Sequence, residues 1–483
     1  MSALSDRLPL DEATFQRYSG LSLPRHVSYP MPTWWRTLTA GGPAGAAGPS
    51  DARTLRALSQ PGRDLSLYLH LPFCEALCTF CACNKTVLRR DVREGQGRVE
   101  RYLSALMTEL EWRAADVGRG RVVRQLHWGG GTPTYLDLDQ IARLHRRTLE
   151  LFTLAPDAEV SLEVDPRVTT REQLALLREL GFNRVSMGVQ DFDARVQEHV
   201  RRVQPYEQVA ALVRDARELG FASVNFDLIY GLPYQTRATV ADTLARALAL
   251  SPDRVAYYHY AAIPDKIAAQ RGLAHDACPS SLEKLRVFLD GVATFEAAGY
   301  EFIGLDHFAR PDEGLAQAKR DGTLTRNFQG MTTGAPLDLV GLGCSAISVF
   351  PGRAFLQNEH VHDAYAESIE AGREPARRGL ALTAEDAERQ ALLTRLYGDA
   401  RIDAARHVAA FPGAPFTQRF AGELAKLREL QADGLVSVAD DGSFALTWPL
   451  GRVLMRNVAA VFDAYLVPDA YKAGQPETFS ASA

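Results

Sequence analysis

Four cysteines within ten residues are the strongest chemical signal in the sequence. Their spacing is C-x3-C-x2-C-x-C, formed by Cys74, Cys78, Cys81 and Cys83. A zinc ribbon would add a second C-x2-C pair about 15–20 residues away, and the sequence has none there. A redox disulfide would need its C-x-x-C to lie beside a thioredoxin-like pattern, and the sequence shows no such pattern there. An iron–sulfur cluster therefore explains the spacing best.

The number of thiolates that bind decides what such a cluster can do. If only three thiolates bind a cubane cluster, one iron keeps an open position where a small molecule can coordinate. This is the difference between a catalytic metal site and a closed structural one.

A run of three glycines, residues 129–131, follows the second predicted strand. Glycines allow the backbone to approach a ligand closely. No Lys-Ser/Thr pair follows, so a phosphate-binding P-loop is not indicated. A G-x-G-x-x-G unit in a Rossmann context is missing too, which argues against a nicotinamide enzyme.

Alternating strands and helices must position these residues. Short apolar runs alternate with helical segments that end at glycines, which predicts a parallel sheet. Six such units in about 230 residues predict a partial or whole barrel whose site lies at the carboxyl ends of the strands. The predicted strands are Leu67–Leu71, Val123–Trp128, Glu159–Val164, Arg184–Val189, Ser223–Tyr230 and Arg254–Tyr260. The predicted helices are Val99–Val117, Leu138–Leu151, Arg171–Leu180, Tyr206–Leu219, Arg237–Leu250 and Ser281–Ala298.

Residues 1–60 and 376–483 do not show the alternation of strands and helices that predicts the barrel. Residues 1–60 are predicted to form an irregular arm with a flexible Gly/Ala/Pro stretch at 41–50, and residues 61–375 to form the barrel with an extension. Residues 376–483 are predicted to form a mainly helical, winged-helix-like domain. Its predicted helices are Thr383–Leu396, Phe416–Asp433 and Leu450–Leu466, with a hairpin over 435–447. The alternative for this domain is a helical cap that does not touch DNA.

Composition excludes several classes of function. The 483 residues include 54 Lys and Arg against 59 Asp and Glu, a net charge of −5, so no overall basic field is available for nucleic acid. No apolar run reaches the roughly 18 residues of a membrane span. The first residues lack the apolar stretch of a signal peptide, so we predict a cytoplasmic protein.

Taken together, the motifs resemble the oxygen-independent coproporphyrinogen III oxidases of the radical S-adenosylmethionine (SAM) superfamily. Blocks similar to those of the family recur in order along nearly the whole chain. These blocks are Tyr68-x-His70-x-Pro72-Phe73-Cys74, the extra Cys83 with Asn84-Lys85, His127 to Thr134, Glu163-x-Asp165-Pro166-Arg167, Gly188 to Phe192, Asp227 to Pro233, Asp306 to Pro311, Asn327 to Gly330, and Arg456 to Leu466.

The resemblance implies a fold, a reaction and cofactors. The fold would be an α/β, partial (βα)6 TIM-like radical SAM barrel with an N-terminal arm and a mainly helical C-terminal domain. A 5′-deoxyadenosyl radical would abstract hydrogen from two propionates of coproporphyrinogen III, which lose carbon dioxide to become vinyl groups of protoporphyrinogen IX. The cofactors would be one [4Fe-4S] cluster and two SAM molecules. A flavodoxin or ferredoxin-type protein would supply electrons to a monomeric enzyme.

The same resemblance implies roles for single residues. Cys74, Cys78 and Cys81 would bind the cluster, and Cys83 would lie nearby without binding it. Tyr68, Gly130, Glu163 and Ile347 would contact the SAM on the cluster. The second SAM would be lined by Phe80, Gly131, Thr132, Gln190, Arg202, Asp227 and Ala261. Tyr68 and Gln329 would act in catalysis.

Carboxylates of the substrate need Arg, Lys or amide partners, and the candidates are Arg25, Arg310 and Gln329. His26 and Met331 depart from the family pattern, in which an aromatic residue is common at both positions. For His70 and His307, a catalytic role and a structural role as buried, hydrogen-bonded histidines are equally compatible with the sequence.

Three rival functions are considered. The nearest is a haem-binding carrier of the same superfamily, which would generally lack Cys83, the arm and the C-terminal segment. A radical SAM enzyme with another substrate would not explain the blocks at Asp306 and Asn327. A zinc-stapled interaction protein would leave the glycine run and the polar strand ends unexplained.

Overall fold

The computed structural model describes residues 12–21, 23–38, 52–59, 61–90, 93–118, 121–333 and 337–466, apart from the side chains of residues 93 and 94. The predicted flexible stretch at 41–50 lies outside the described residues. In the described part of the chain, none of the helices has the length and apolar character needed to cross a bilayer.

Most strands belong to one large sheet. In chain order the strands are β1 (Arg36–Thr37), β2 (Leu65–Leu71), β3 (Phe73–Cys74), β4 (Thr86–Val87), β5 (Val122–Gly130), β6 (Thr153–Val164), β7 (Arg184–Gln190), β8 (Ser223–Tyr230), β9 (Arg254–His259), β10 (Glu301–Gly304), β11 (His307–Ala309), β12 (Thr325–Asn327), β13 (Gly330–Thr332), β14 (Asp338–Leu342), β15 (Ile347–Phe350), β16 (Ala354–Asn358), β17 (Ala376–Ala381), β18 (Arg401–Ile402), β19 (Val436–Val438) and β20 (Phe444–Leu446).

Helices connect and cover these strands. In chain order the α-helices are α1 (Glu12–Ser19), α2 (Ala52–Arg56), α3 (Arg93–Val117), α4 (Leu138–Leu151), α5 (Arg171–Glu179), α6 (Ala194–His199), α7 (Tyr206–Glu218), α8 (Arg237–Ala249), α9 (Ser281–Ala297), α10 (Gly314–Arg320), α11 (His362–Glu370), α12 (Ala384–Asp399), α13 (Ala404–Ala410), α14 (Phe416–Arg419), α15 (Ala421–Ala432), α16 (Leu450–Val453) and α17 (Met455–Ala460).

The strand order of the large sheet is β1-β17-β16-β15-β14-β2-β5-β6-β7-β8-β9-β11-β10. The six predicted strands are β2 and β5 to β9, and they pair side by side in parallel. β14 extends this parallel set beside β2, and the outer strands on both sides run antiparallel. The prediction of an α/β, partial (βα)6 barrel is thereby confirmed.

Burial and capping explain why these segments fold as they do. Every residue of β2 is buried, as expected for a parallel strand covered on both faces. Helix α4 begins at Leu138 because Asp137 and Gln140 form a reciprocal capping box, and its predicted bounds are the observed ones. Thr170, Thr236 and Ser280 start α5, α8 and α9 in the same way.

Four predicted segments need correction. Helix α3 begins at residue 93, six residues before the predicted Val99. The prediction missed this start because the first turns are polar and show little apolar periodicity. The arm is not irregular throughout, since it contains α1, α2 and β1. The helix predicted from Phe416 is interrupted at Phe420, where φ is −110° and ψ is 30°. The helix predicted from Leu450 bends at Leu454 into α16 and α17, and residues 467–483 lie outside the described part.

The last part of the chain has its own small sheet, in the order β18-β20-β19. The predicted hairpin over 435–447 is confirmed by the antiparallel pairing of β19 with β20. This part contacts the arm through His26, whose Nε2 lies 3.0 Å from the Asp463 carboxylate. The described parts of the arm and of the C-terminal segment are therefore joined.

Candidate active site

The cysteine loop begins at the carboxyl end of β2 and is closed by the short β3–β4 pair. The Thr86 amide donates to the Pro72 carbonyl at 2.7 Å, which closes the loop at its base. Inside the loop, the Cys81 amide donates to the Cys78 carbonyl at 3.2 Å. The loop is therefore a compact turn at the edge of the sheet where barrel enzymes build their sites.

The predicted ligand thiols differ in their surroundings. Cys78 is buried, Cys74 and Cys81 are partly exposed, and Cys83 is exposed. Burial raises the pKa of the Cys74 thiol to about 11. A hydrogen bond with Cys83 is the main cause that lowers the pKa of Cys81 below its usual value. Cys83 thus stands beside Cys81, as expected for a neighbour of the predicted ligands.

Two arginines lie against the buried thiol of Cys78. Arg167 Nη2 and Arg202 Nη1 are each 3.4 Å from its sulfur. Asp165 binds both guanidiniums, at 2.6 Å from Arg167 and 3.2 Å from Arg202. Arg202 also donates to the Gly188 carbonyl at 2.7 Å. Guanidinium groups can donate to a thiolate, which is the form of cysteine that binds metals.

This arrangement suits a cluster better than a single ion. In the described ranges, no three His, Cys, Asp or Glu side chains form a site for one metal ion. In a cubane cluster each thiolate binds a separate iron, so the thiols surround a common volume instead of a point. Three cysteines in one compact loop, with two guanidiniums behind them, fit that requirement.

The glycine run packs directly against the cysteine loop. Gly130 has φ +111°, and a Cβ there would lie 2.5 Å from the His70 ring. A Cβ on Gly131 would lie 2.6 Å from the carbonyl carbon of Pro72. The Gly130 amide donates to the Glu163 carboxylate at 3.0 Å. The absence of side chains therefore lets β5 approach β2 and the start of the loop.

A hydrogen-bonded chain joins Tyr68 to the cysteine loop. His70 Nε2 lies 3.0 Å from the Asn84 carbonyl, and its Nδ1 lies 2.9 Å from the Tyr68 hydroxyl. Burial lowers the pKa of His70 to about 4, so the ring is neutral at pH 7. Its Nε2–H then donates to Asn84 while Nδ1 accepts from Tyr68. These contacts agree with His70 as a buried, hydrogen-bonded residue.

Glu163 stands at the end of β6, between the glycine run and His127. Its carboxylate lies 3.5 Å from His127 Nε2, and His127 Nδ1 lies 2.7 Å from the Ser161 hydroxyl. Burial alone would raise the pKa of Glu163, but the hydrogen bonds and charge of His127 lower it overall. The group is an ionised acceptor at neutral pH.

A polar cavity of about 90 Å³ occupies the barrel interior. Asp227 accepts hydrogen bonds there from Asn225 at 2.9 Å and Ser186 at 3.3 Å. Burial, followed by the charge of Glu163, raises the pKa of Asp227 to about 6. Glu163, Asp227 and Gln329, three of the predicted site residues, line this one cavity.

The hairpin of β12 and β13 brings Gln329 to the barrel interior. The Gln329 amide nitrogen of the backbone donates to the Asn327 side chain at 2.8 Å. Its side-chain Nε2 is buried and has no hydrogen-bond partner within the described residues. His307 lines the same cavity and donates from Nδ1 to Asp306 at 2.7 Å. An unused donor in a polar cavity is a group that a ligand could satisfy.

Gln270 links two further predicted residues. Its side chain donates to the carbonyls of Phe80 at 3.0 Å and Ala261 at 3.1 Å. Phe80 and Ala261 are thereby held at one side of the barrel mouth, while Ile347 stands apart on β15. Gln270 lies in the short 3-10 helix Ala268–Gly272 and belongs to no recognisable motif, so its role could not be predicted from the sequence.

The remaining predicted residues sit between the loop and the neighbouring strand. The Thr132 hydroxyl lies 3.6 Å from the Cys74 sulfur. Gln190 has φ +67°, and the space beside Gly188 is filled by the side chains of Gln190 and Arg202. The resemblance includes Asp165 and Arg167, but the contact of Arg167 with Cys78 joins residues far apart in the sequence and could not be predicted from it.

The structure separates the two arginines proposed as substrate contacts. Arg310 follows β11, whose last residue, Ala309, pairs with Arg254 at the start of β9. Arg310 therefore lies at the sheet edge opposite the cysteines, with Asp312 3.7 Å away, and this expectation was wrong. Arg25 lines a small pocket at the carboxyl ends of β8 and β9.

A larger cavity, of about 670 Å³, has no residue of the cysteine loop among its described lining residues. Ser66 and Gln125 line it, and both lie toward the amino ends of their strands. Both residues also line the polar barrel interior, so the larger cavity adjoins that interior on the side away from the cysteine loop.

Comparison with known proteins agrees with this site. Residues 68–247 match the radical SAM superfamily. The parallel barrel and the cysteine loop after its first strand therefore define a radical SAM protein, a class that uses a [4Fe-4S] cluster and SAM.

Similar proteins narrow the class further. The oxygen-independent coproporphyrinogen III oxidases of Salmonella typhimurium strain LT2 and Escherichia coli strain K12 are each 43% identical over 94% of this chain and 95% of their own length. That of Pseudomonas aeruginosa is 39% identical over 95% of this chain and 97% of its own. The solved structure of the E. coli coproporphyrinogen III oxidase, described as a radical SAM enzyme, matches with a TM-score of 0.84 and 42% identity over 94% of this chain and 99% of that one. The chain belongs to the oxygen-independent coproporphyrinogen III oxidase family.

Proposed function

We propose that this oxidoreductase converts two propionate side chains of coproporphyrinogen III into vinyl groups, giving protoporphyrinogen IX in oxygen-independent haem biosynthesis. The observation that carries the proposal is the match to the oxidases over 94% of the chain. That length includes the cysteine loop, the glycine run and the hairpin with Gln329. A haem carrier that shares only the barrel would not require so extensive a match.

The overall change at each propionate follows from its product. A vinyl group forms when the carbon next to the pyrrole ring loses one hydrogen atom and the adjacent carbon loses its carboxylate as carbon dioxide. One electron per propionate must then pass to an acceptor. Two such rounds account for both vinyl groups, and the bound cluster and SAM supply the hydrogen-abstracting radical.

The residues of the chain hold and orient the reactants. Cys74, Cys78 and Cys81 hold the cluster, and Cys83 stays beside it as a free thiol. Tyr68, Gly130, Glu163 and Ile347 bind the SAM on the cluster. A second SAM is bound by Phe80, Gly131, Thr132, Gln190, Arg202, Asp227 and Ala261. The ionised Glu163 can accept from ribose hydroxyls or an ammonium group, and its contact with the Gly130 amide supports this role.

Tyr68 and Gln329 act next to the reacting side chain. The buried, unpartnered Nε2 of Gln329 can donate to a propionate oxygen. Tyr68 packs edge-on against Phe328, with ring centroids 5.3 Å apart, which connects the first strand with the hairpin that carries Gln329. Arg202 can bind a SAM carboxylate only if its guanidinium shares or leaves its contact with Asp165.

Several wider features belong to the same proposal. The enzyme is a cytoplasmic monomer that receives electrons from a flavodoxin or ferredoxin-type protein and binds no nucleic acid. The chain divides into an arm at 1–60, a barrel with its extension at 61–375, and a C-terminal domain at 376–483. Strand β17, at residues 376–381, attaches the start of the last segment to the large sheet.

An anaerobic turnover assay tests the reaction. The reconstituted enzyme is given coproporphyrinogen III, SAM and a strong reductant, and 5′-deoxyadenosine and vinyl-bearing porphyrin are quantified. We expect both products from the wild type and neither from Cys78→Ala, because Cys78 holds the cluster. Cys278→Ala is the matched control, since Cys278 lies outside the cysteine loop and should keep both products.

The outcomes separate the rival functions. 5′-Deoxyadenosine without vinyl product would retain the radical chemistry and reject the substrate. Neither product, from a protein with an intact cluster and tight haem binding, would favour the haem carrier.

A further inference from the structure

A small pocket with a strong excess of positive charge lies beside the barrel mouth. Its volume is about 100 Å³, enough for one carboxylate-bearing arm but not for a macrocycle. Among the described residues, five cationic side chains line it against one acidic residue, Asp306. The cations are Arg25, Lys284, Arg326, Arg452 and Arg456.

Four separate parts of the chain contribute these cations. Arg25 belongs to the arm, Lys284 to the first turn of α9, and Arg326 to β12 of the hairpin. Arg452 and Arg456 come from the two short C-terminal helices, α16 and α17. Chain segments so far apart in sequence bring like charges together here, although repulsion between the charges opposes this.

One carboxylate, Asp306, lies near Arg25 and Arg326 and offsets the positive charge only in part. Arg326 donates to the carbonyls of Arg25 at 2.7 Å and His26 at 3.2 Å, and these acceptors are uncharged. Within the described ranges, neither Lys284 nor Arg452 forms an ion pair or a hydrogen bond with a carboxylate. Burial and the charge of Arg25 lower the pKa of Arg456 to about 9. Half-buried cations such as Lys284 and Arg452, with no carboxylate in contact among the described residues, favour the entry of an anion.

The pocket is close to the reaction site. Tyr230 and His259, the last residues of β8 and β9, line it. Asp306 and Arg326 line the pocket, while the next residues in the chain, His307 and Asn327, line the polar barrel interior. The pocket and the interior are therefore separated by one layer of the chain.

We propose that this basic pocket binds one propionate carboxylate of the tetrapyrrole and so anchors the substrate before the barrel mouth. The inference rests on the proposed function and adds four residues, Lys284, Arg326, Arg452 and Arg456, to the expected contact by Arg25. A carboxylate in the pocket can form charge-assisted hydrogen bonds with several guanidiniums at once. The other carboxylate available to this enzyme is that of SAM, and the test separates the two.

Binding of coproporphyrin III, a fluorescent tetrapyrrole with four carboxylates, tests the proposal on the full-length, reconstituted enzyme. We expect Lys284→Met and Arg452→Met each to weaken its binding about tenfold, because each removes one charge-assisted contact. Lys426→Met and Arg428→Met are matched controls on the exposed face of α15 and should bind as the wild type does. Lys284→Arg should restore most of the affinity.

Two further readouts identify the bound group. The tetramethyl ester of coproporphyrin III should bind the wild type and both pocket variants equally, since it has no carboxylate to lose. SAM cleavage without substrate should be unchanged, while the KM for coproporphyrinogen III rises and less vinyl product forms per 5′-deoxyadenosine.

Unchanged coproporphyrin III binding in both folded pocket variants would overturn the proposal. So would a loss of SAM affinity instead of tetrapyrrole affinity, which would assign the pocket to the SAM carboxylate. If the wild type forms vinyl product while the variants match it, the pocket assignment alone fails. If the wild type forms none, the proposed function fails and the pocket assignment fails with it.

Discussion

Cys81 and Cys83 are neighbouring thiols to which the account gives different roles. Cys81 is proposed as a cluster ligand and Cys83 as a free thiol, because a fourth thiolate would close the open iron. We therefore expect Cys81→Ser to lose most of its iron after reconstitution, while Cys83→Ser retains about four irons per chain, as a [4Fe-4S] protein should. Iron and sulfide analysis with electron paramagnetic resonance of the reduced protein measures this. Equal loss of iron in both variants would assign Cys83 as a ligand.

The raised pKa of Asp227 predicts that the stability of the folded protein falls as the pH rises. Its pKa is about 6 in the folded protein against 3.8 for an ordinary Asp, so the folded state prefers the protonated form. The contribution of Asp227 to stability is fully present below the ordinary pKa and is lost as the pH rises through about 6. Between pH 4 and pH 7 the apo wild type should lose up to roughly 3 kcal/mol relative to Asp227→Asn.

Urea unfolding of both apo proteins across this pH range measures the difference. The asparagine also loses an accepted hydrogen bond, but that cost does not vary with pH, so the slope is the informative quantity. Parallel stability curves would show that Asp227 has an ordinary pKa.

Contacts between individual side chains of the site were harder to predict from the sequence than the helices and strands that carry them. Tyr68, Glu163 and Asp227 were predicted from the resemblance of their motifs to the family. The contact of Arg167 with Cys78 joins positions 89 residues apart, and it depends on the loop conformation. No local pattern carries such a contact, and the same reason explains the misplaced Arg310.

At the scale of elements, the glycine run controls how β5 meets the cysteine loop. A Cβ on Gly131 would meet the backbone of Pro72 and Phe73, which cannot move aside as a side chain can. We expect Gly131→Ala to cost about 1–3 kcal/mol and to reduce cluster content, because the loop that begins there must shift. Thermal unfolding of the apo protein and iron analysis of the reconstituted protein test both effects.

Gly97→Ala is the matched control for this substitution. Gly97 is exposed in α3, and a Cβ there would meet nothing within 4 Å. Alanine should therefore stabilise the helix by about 0.5–1 kcal/mol and leave the iron content unchanged. If both variants retain full iron and stability, close packing at Gly131 is not required.

Elements were predictable where local signals agreed. The predicted bounds of α4, Leu138–Leu151, and of β8, Ser223–Tyr230, are the observed ones. The first turns of α3 are polar and contain Gly95 and Gly97, so the start of this helix could not be predicted from the sequence. The antiparallel strands beside β14 were expected only as an unspecified extension, because short strands owe their register to neighbours distant in sequence.

At the scale of the whole molecule, the arm is joined to the C-terminal segment by a buried contact. His26 lies 3.0 Å from Asp463 and 3.1 Å from the Tyr397 hydroxyl, and burial lowers its pKa below the usual value. The neutral ring donates from Nε2 to Asp463 and accepts from Tyr397. This contact accounts for His26 at a position where the family usually has an aromatic residue, and it holds the neighbouring Arg25 at the basic pocket.

We expect Asp463→Ala to lower the free energy of unfolding by about 2 kcal/mol, because His26 is left with an unpaired buried donor. Coproporphyrin III should bind more weakly, since Arg25 is no longer fixed, while the cluster content stays the same. Asp440→Ala, on the exposed hairpin, is the control. Loss of the cluster together with tetrapyrrole binding would indicate general unfolding instead of a displaced arm.

The origin of the hydrogen in 5′-deoxyadenosine shows whether the deoxyadenosyl radical attacks the propionate. Coproporphyrinogen III deuterated at the propionate carbons next to the pyrrole rings is incubated anaerobically with reconstituted enzyme, SAM and reductant, and the products are analysed by mass spectrometry. We expect one deuterium in the 5′-deoxyadenosine for each vinyl group formed. Cys78→Ala should form no deuterated 5′-deoxyadenosine. Undeuterated 5′-deoxyadenosine accompanying the vinyl product would contradict hydrogen abstraction from the propionate.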